Sequence, residues 1–193
     1  MSIRSSHDGA QVNPPPEHFN AAAHLLALNA GRPGVLAYID DHQRLPYGEL
    51  DARVRRCAAG LLALGLRREE RLLIAMHDSV DFPVAFLGAL YAGLVPVPVN
   101  TLLSSADYAY MLEHSAARAL LVSTALWPTL AGAVGNLVGD GVGERPLPVI
   151  ASGTGDAPAG TRAFATLLAH APLAAPAATR ADDIGFWLYS SGS

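Results

Sequence analysis

The chain has 193 residues, 51% of them hydrophobic and 16% charged, which is enough apolar material to bury a substantial core in one domain or a large part of one, and too much for a disordered chain. Its formal charge of −4 creates no field that would draw in nucleic acid or anionic lipid, so both are excluded as expected partners. All thirteen basic residues are Arg, with no Lys anywhere. A Walker-type phosphate loop, which needs a Lys after its second Gly, is therefore absent.

Residues 1–16 are polar and Pro-rich and read as a flexible lead-in. They hold Arg4, His7, Asp8 and three prolines without an apolar segment, so they do not form a secretory signal. A helix is predicted from His18 to Ala30, closed by Gly31 and Pro33. Val35 to Ile39 reads as a strand that turns through Asp40-Asp41-His42-Gln43 into a hairpin partner at Arg44-Leu45, ended by Pro46. Leu50, Val54, Cys57, Leu61 and Leu64 recur at helical spacing on one face, and Gly65 closes that helix.

The mixed charges of Arg67-Arg68-Glu69-Glu70-Arg71 read as a solvated connection. Leu72 to Met76 is a continuous apolar run of strand length, as a strand covered on both faces requires. The run from Phe82 to Val99 carries no charge and reaches the length of a membrane span. Pro83, Gly88, Gly93, Pro96 and Pro98 divide it instead into a helix over Ser79 to Ala92 and a strand over Val95 to Val99. Ser104 or Ser105 then caps a helix reaching Ser115, followed by a strand from Ala119 to Ser123.

Between Trp127 and Pro148 the pattern thins, and the expectation is a helix and an irregular loop before a strand over Leu147 to Ala151. A short helix is predicted over Phe164 to His170, then an Ala/Pro connector over 171–179. Strands alternating with helices predict an α/β fold, a parallel-rich sheet flanked by helices.

Several features imitate sites. Ser152-Gly153-Thr154-Gly155-Asp156-Ala157-Pro158-Ala159-Gly160 copies a phosphate loop but carries Ala159 where a cation is needed, and reads as a surface loop. The seven histidines form no pair on one helix face beside a carboxylate, so no metal site is proposed. Without a Gly-x-Ser-x-Gly elbow no serine nucleophile is nominated, and no residue of the chain is expected to be catalytic. His77 and Asp78 sit where open α/β sheets place ligands, but position alone assigns them no chemistry. Cys57, the one cysteine, excludes an intrachain disulfide, reads as a small buried hydrophobe and fits a reducing, cytoplasmic location.

At the C-terminal end an apolar strand opens into Ser190-Ser191-Gly192-Ser193. Small hydroxyl and Gly residues after a buried strand let backbone N–H groups approach a polyphosphate, although an ordinary flexible turn has the same composition. Trp187 and Tyr189 share one face of that strand, where core packing is the commoner role than stacking on a base or an aromatic acid.

The run Trp187-Leu188-Tyr189-Ser190-Ser191-Gly192-Ser193 resembles the start of the phosphate-loop signature of the AMP-forming adenylating enzymes. Leu87-Gly88-Ala89-Leu90-Tyr91-Ala92-Gly93-Leu94-Val95-Pro96-Val97-Pro98-Val99-Asn100 is similar to an earlier signature of that family. Within it, Phe19-Asn20-Ala21-Ala22-Ala23-His24-Leu25-Leu26, Ala37-Tyr38-Ile39-Asp40-Asp41, Tyr47-Gly48-Glu49-Leu50 and Pro83 to Gly93 resemble the benzoate-coenzyme A ligase group. The similarity runs from about Pro14 to the end and is weakest between Trp127 and Thr179.

The resemblance implies that residues 17–193 are the N-terminal portion of the AMP-binding domain. It implies that Ser190, Ser191, Gly192 and Ser193 hold the β- and γ-phosphates of ATP, with Mg2+, while benzoate attacks the α-phosphorus, and that coenzyme A then accepts the acyl group. The family loop continues Thr-Gly-x-Pro-Lys-Gly, and the family's acid pocket and catalytic Lys are not in this sequence, so the chain by itself is expected to be inactive. A hydroxybenzoate or other aryl or acyl-CoA ligase shares every feature named, and a non-catalytic nucleotide-binding or interaction module is the reading from another class. The acid used and the oligomeric state are not legible.

Overall fold

The computed structural model describes residues 14–139 and 147–190. The expected lead-in lies largely outside the described residues, as does most of the expected irregular loop before Leu147.

The elements in chain order are α1 (Ala21–Leu28), β1 (Leu36–Ile39), β2 (Arg44–Pro46), α2 (Tyr47–Ala63), β3 (Arg71–Ala75), α3 (Asp81–Tyr91) and β4 (Val95–Pro98). There follow α4 (Ser105–His114), β5 (Ala119–Ser123), a 3-10 turn (Thr124–Leu126), α5 (Trp127–Gly139), β6 (Val149–Ser152), β7 (Arg162–Ala163) and α6 (Ala165–Leu168). β1 and β2 form an antiparallel hairpin, and the other five strands form a parallel sheet in the order β4-β3-β5-β6-β7. The α/β class read from the sequence is the fold observed.

The apolar strands bury both faces, and the pleat divides their side chains between two cores. Leu72, Ile74, Ala119, Leu121 and Ile150 pack with α1, α2, α3 and α6. Leu73, Ala75, Leu120, Val122 and Ala151 pack with α4 and α5. On α2, Leu50, Val54, Cys57 and Leu61 are fully buried, so the predicted stripe, with Leu64 half-buried at its end, is the face turned into this core beside α3 and α6. Each such leucine contributes about 1.5–3 kcal/mol by leaving water.

Close helix contacts depend on missing side chains. A Cβ on Gly88 would stand 2.9 Å from Cys57 Sγ, which lets α3 lie directly against α2. Gly93 adopts φ +73 after α3, the left-handed conformation that ends a helix most easily without a Cβ. The Cys57 thiol is pushed far above its ordinary value, first by burial and then by the charge of Asp81, so it is an inert core group. Among the described residues no helix is long and apolar enough to cross a membrane, and the uncharged run from Phe82 to Val99 is divided between α3 and β4.

Some expectations need correction. The first helix begins at Ala21, because Asn20 caps it by accepting from Ala23 N at 3.0 Å. It ends at Leu28 rather than Ala30, with Asn29 as its C-cap, whose side-chain amide donates to Leu25 O at 2.8 Å and closes the last turn. β7 was not expected; two residues pairing with Ile150 and Ala151 carry no readable period. The strand expected before Ser190 does not join the sheet, for the reason given below.

Candidate phosphate loop at the sheet edge

The approach to Ser190 begins at Asp183. Its carboxylate accepts from Arg180 N at 2.8 Å and pairs with the Arg68 guanidinium. These contacts, the backbone bond first, lower its pKa below the ordinary carboxylate value. The chain then runs extended along β4, alternating as an open strand does. Ile184, Phe186 and Leu188 are 71%, 51% and 62% exposed, while Trp187 and Tyr189 turn inward against the α4–α5 core. Core packing, the reading preferred for these two aromatics, is what the structure shows. Ser190 follows, exposed.

The edge strand explains why this segment forms no ladder. Val95 and Val99 donate to Glu70 O and Ile74 O on the β3 side, so the alternate residues Pro96 and Pro98 face outward. Neither proline has an N–H, and such an edge offers acceptors alone. Trp187 N donates to Pro96 O at 3.1 Å, and the reciprocal half of a ladder has no donor.

Side chains hold the segment instead. Trp187 and Tyr189 stack at 5.9 Å between ring centroids, and His114, the last residue of α4, meets Trp187 edge-on at 5.6 Å. His114 Nδ1 lies 3.0 Å from Tyr189 Oη, which is also 3.4 Å from Met111 O. Burial raises the Tyr189 pKa above its ordinary value. Phe186 packs against Phe86 of α3 at 5.7 Å.

Of the four residues nominated for phosphate, the structure places Ser190, at the exposed end of this segment; Ser191, Gly192 and Ser193 lie outside the described residues. The partners of the segment, His114 and the Pro96 carbonyl, were not found from sequence, because residues 75 and 91 positions apart share no pattern.

The carboxyl ends of β3 and β5, where the strand order reverses, are the usual ligand crevice of an open sheet. Here that crest is closed by its own hydrogen bonds. His77 N donates to Ser123 Oγ at 2.8 Å, Ser152 Oγ donates to Asp81 Oδ2 at 2.7 Å, and Thr124 Oγ1 donates to Ser152 O at 3.1 Å. His77 and Asp78 accordingly gain no site role. The imitation loop is a surface turn over 153–160, and Ser152, its first member, is buried as the last residue of β6. Among the described residues no group of three or more His, Cys, Asp or Glu could hold a metal.

The AMP-binding enzyme family model matches residues 26–193. The benzoate–CoA ligase of Thauera aromatica is 45% identical over 182 residues, which cover 92% of this chain and 33% of the relative. A 4-hydroxybenzoate–CoA/benzoate–CoA ligase of Rhodopseudomonas palustris is 41% identical, covering 93% and 32%. The crystal structure of a benzoate CoA ligase from Burkholderia xenovorans superposes with a TM-score of 0.79 at 48% identity, covering 89% of this chain and 32% of that one. The chain thus spans about a third of the length of the curated relatives it matches. With most of its length inside the family model and an aryl-acid ligase superposing on its fold, the chain belongs to the AMP-binding enzyme family.

Proposed function

We propose that this chain is the N-terminal part of a benzoate–CoA ligase, which converts ATP, benzoate and coenzyme A into benzoyl-CoA, AMP and diphosphate through benzoyl-AMP. Residues 17–193 are the first portion of its AMP-binding domain, preceded by a lead-in over residues 1–16, and the protein works in the cytoplasm. The observation that carries this reading is the 45% identity to a benzoate–CoA ligase over 92% of the chain.

The chemistry asked of these residues is modest. A benzoate oxygen attacks the α-phosphorus, the bond to the β-phosphate oxygen breaks, and diphosphate leaves with the electron pair. Coenzyme A sulfur then attacks the acyl carbon and AMP leaves. Ser190, Ser191, Gly192 and Ser193 hold the β- and γ-phosphates with hydroxyl and backbone N–H donors, which orient the leaving group and stabilise its charge. Mg2+ would be carried by the triphosphate and offset its charge; no residue of the chain is assigned to it. Lysine cations and the acid pocket are supplied from beyond Ser193, so the 193 residues alone do not turn over.

The test is to read the coding sequence past Ser193 and to assay the encoded protein for benzoate-dependent pyrophosphate release. A Thr-Gly-x-Pro-Lys-Gly continuation with activity supports the reading. Release of pyrophosphate by the isolated chain, or none by the longer protein, overturns it. The 41% identity to the Rhodopseudomonas palustris ligase favours 4-hydroxybenzoate as the second acid to try.

A further inference from the structure

We infer that residues 17–20 are a strap that holds down the stretch from Ala177 to Tyr189, so that strap and stretch come away from the sheet edge as one unit while both cores stay folded. Two backbone bonds tie them together. Phe19 N donates to Thr179 O at 3.0 Å and Ala181 N donates to Glu17 O at 3.0 Å, with His18 opposite Arg180 as an antiparallel bridge between them. The Thr179 hydroxyl adds a bond to Phe19 O at 2.7 Å. The Glu17–Arg180 ion pair is exposed and contributes little.

Strap and stretch are rooted in the same place, the end of α3, whose last carbonyls have no partner within the helix. Asn20 Nδ2 donates to Leu90 O at 2.9 Å, beside the bond from Gly93 N at 3.0 Å, and Ala177 N donates to Tyr91 O at 2.9 Å. Gly93 makes room for the stretch, since a Cβ there would stand 2.8 Å from the Ala177 Cβ. The hold continues through the turn after the paired residues. Arg180 N donates to Asp183 Oδ2 at 2.8 Å, Asp183 pairs with Arg68 ahead of β3, and the chain enters the extended run to Tyr189. No residue of 14–20 or 171–190 is buried, whereas Leu73, Ile74, Leu120 and Leu121 are fully so. Hydrogen bonds rather than apolar burial hold the stretch, which places it among the parts of a protein that open below the cost of global unfolding.

Backbone amide exchange of the 193-residue chain in low urea tests this. The N–H groups of Phe19, Ala177, Ala181 and Trp187 are all bonded, and they should share one opening that is easier than that of the β3 and β5 amides. Asn20→Asp keeps the α1 cap, for which Asp serves as well as Asn, and removes the donor to Leu90 O. Thr179→Val removes the hydroxyl donor to Phe19 O at nearly the same volume. Each variant should speed exchange at all four amides by a similar factor, about 2- to 10-fold, the range for one lost hydrogen bond, with β3 and β5 unchanged. Faster exchange at Phe19 with Trp187 at the parent's rate overturns the proposal, because the segments would then open separately. Unchanged exchange at all four amides, or an equal rise at β3 and β5, overturns it as well, the latter by making the strap part of the global fold.

Discussion

Trp187 donates its backbone N–H to the carbonyl of Pro96 at 3.1 Å, and among the described residues this is the only backbone bond joining the last extended segment to β4. The donor that would answer it belongs to residue 98, which is Pro. Pro98→Val restores an outward N–H opposite the Trp187 carbonyl. Slower amide exchange at Trp187 is expected, with a stronger tendency to self-associate because the edge is less blunted. Exchange no slower than in the parent would show that a donor at residue 98 adds nothing to the hold of β4 on this segment.

Gly60 of α2 faces α6 with no room for a methyl group. A Cβ there would lie 2.6 Å from Leu167 Cα and 2.7 Å from Leu167 O, and backbone atoms cannot swing aside. Gly60→Ala gains helix propensity worth about 1 kcal/mol and suffers an overpacking cost of about 1–3 kcal/mol. Net destabilisation is expected, seen as a lower urea midpoint with an unchanged slope.

Asp40 joins the hairpin turn to the start of α3. Its carboxylate accepts from Val80 N at 2.8 Å, His42 N at 2.8 Å and Gln43 N at 2.7 Å. These bonds, that of Val80 first, lower its pKa. A group with a lowered folded value stabilises fully above its unfolded pKa and loses that contribution as pH falls through the folded one. Asp40→Asn should therefore reduce stability at neutral pH and flatten the loss of stability below about pH 4, measured by thermal melts across pH. A variant with the parent's acid limb would refute the assignment.

Arg55 fastens the 171–179 connector to the helical layer. It donates to Tyr91 Oη at 2.6 Å and to Asp51 at 2.8 Å, and its guanidinium lies 5.2 Å from the Tyr91 ring centroid. The connector answers with Leu173 N donating to Arg55 O at 3.2 Å and Ala177 N donating to Tyr91 O at 2.9 Å. Tyr91→Phe should cost about 1 kcal/mol. Arg55→Ala should cost somewhat more and open 171–179 to protease, and the double variant should cost less than the sum, which denaturation of all four proteins would check.

The elements legible in the sequence were those whose cause is local. Leu50, Val54, Cys57 and Leu61 state a helical face by their spacing, and the unbroken apolar runs at 72–76 and 119–122 state strands covered on both sides. Gly93 and Ser104 mark helix ends through backbone freedom and a capping hydroxyl, and both act where expected. At the site the aromatic alternation of Trp187 and Tyr189 was readable, as was the small-residue opening at Ser190. What faces them was not, since Pro96 and His114 meet the segment only after the sheet has formed.

By itself the order of residues determined an α/β chain with two-faced strands and a Ser/Gly opening after an aromatic pair, because periodicity, capping and turn chemistry act over a few neighbours. Tertiary structure alone decided that the crest above β3 and β5 is closed by Ser123, Ser152 and Asp81, and that the last segment lies beside β4 without becoming a strand. Both outcomes depend on which donors and acceptors meet across long separations, and hydrogen bonding at a sheet edge is settled by the partner that packing brings there.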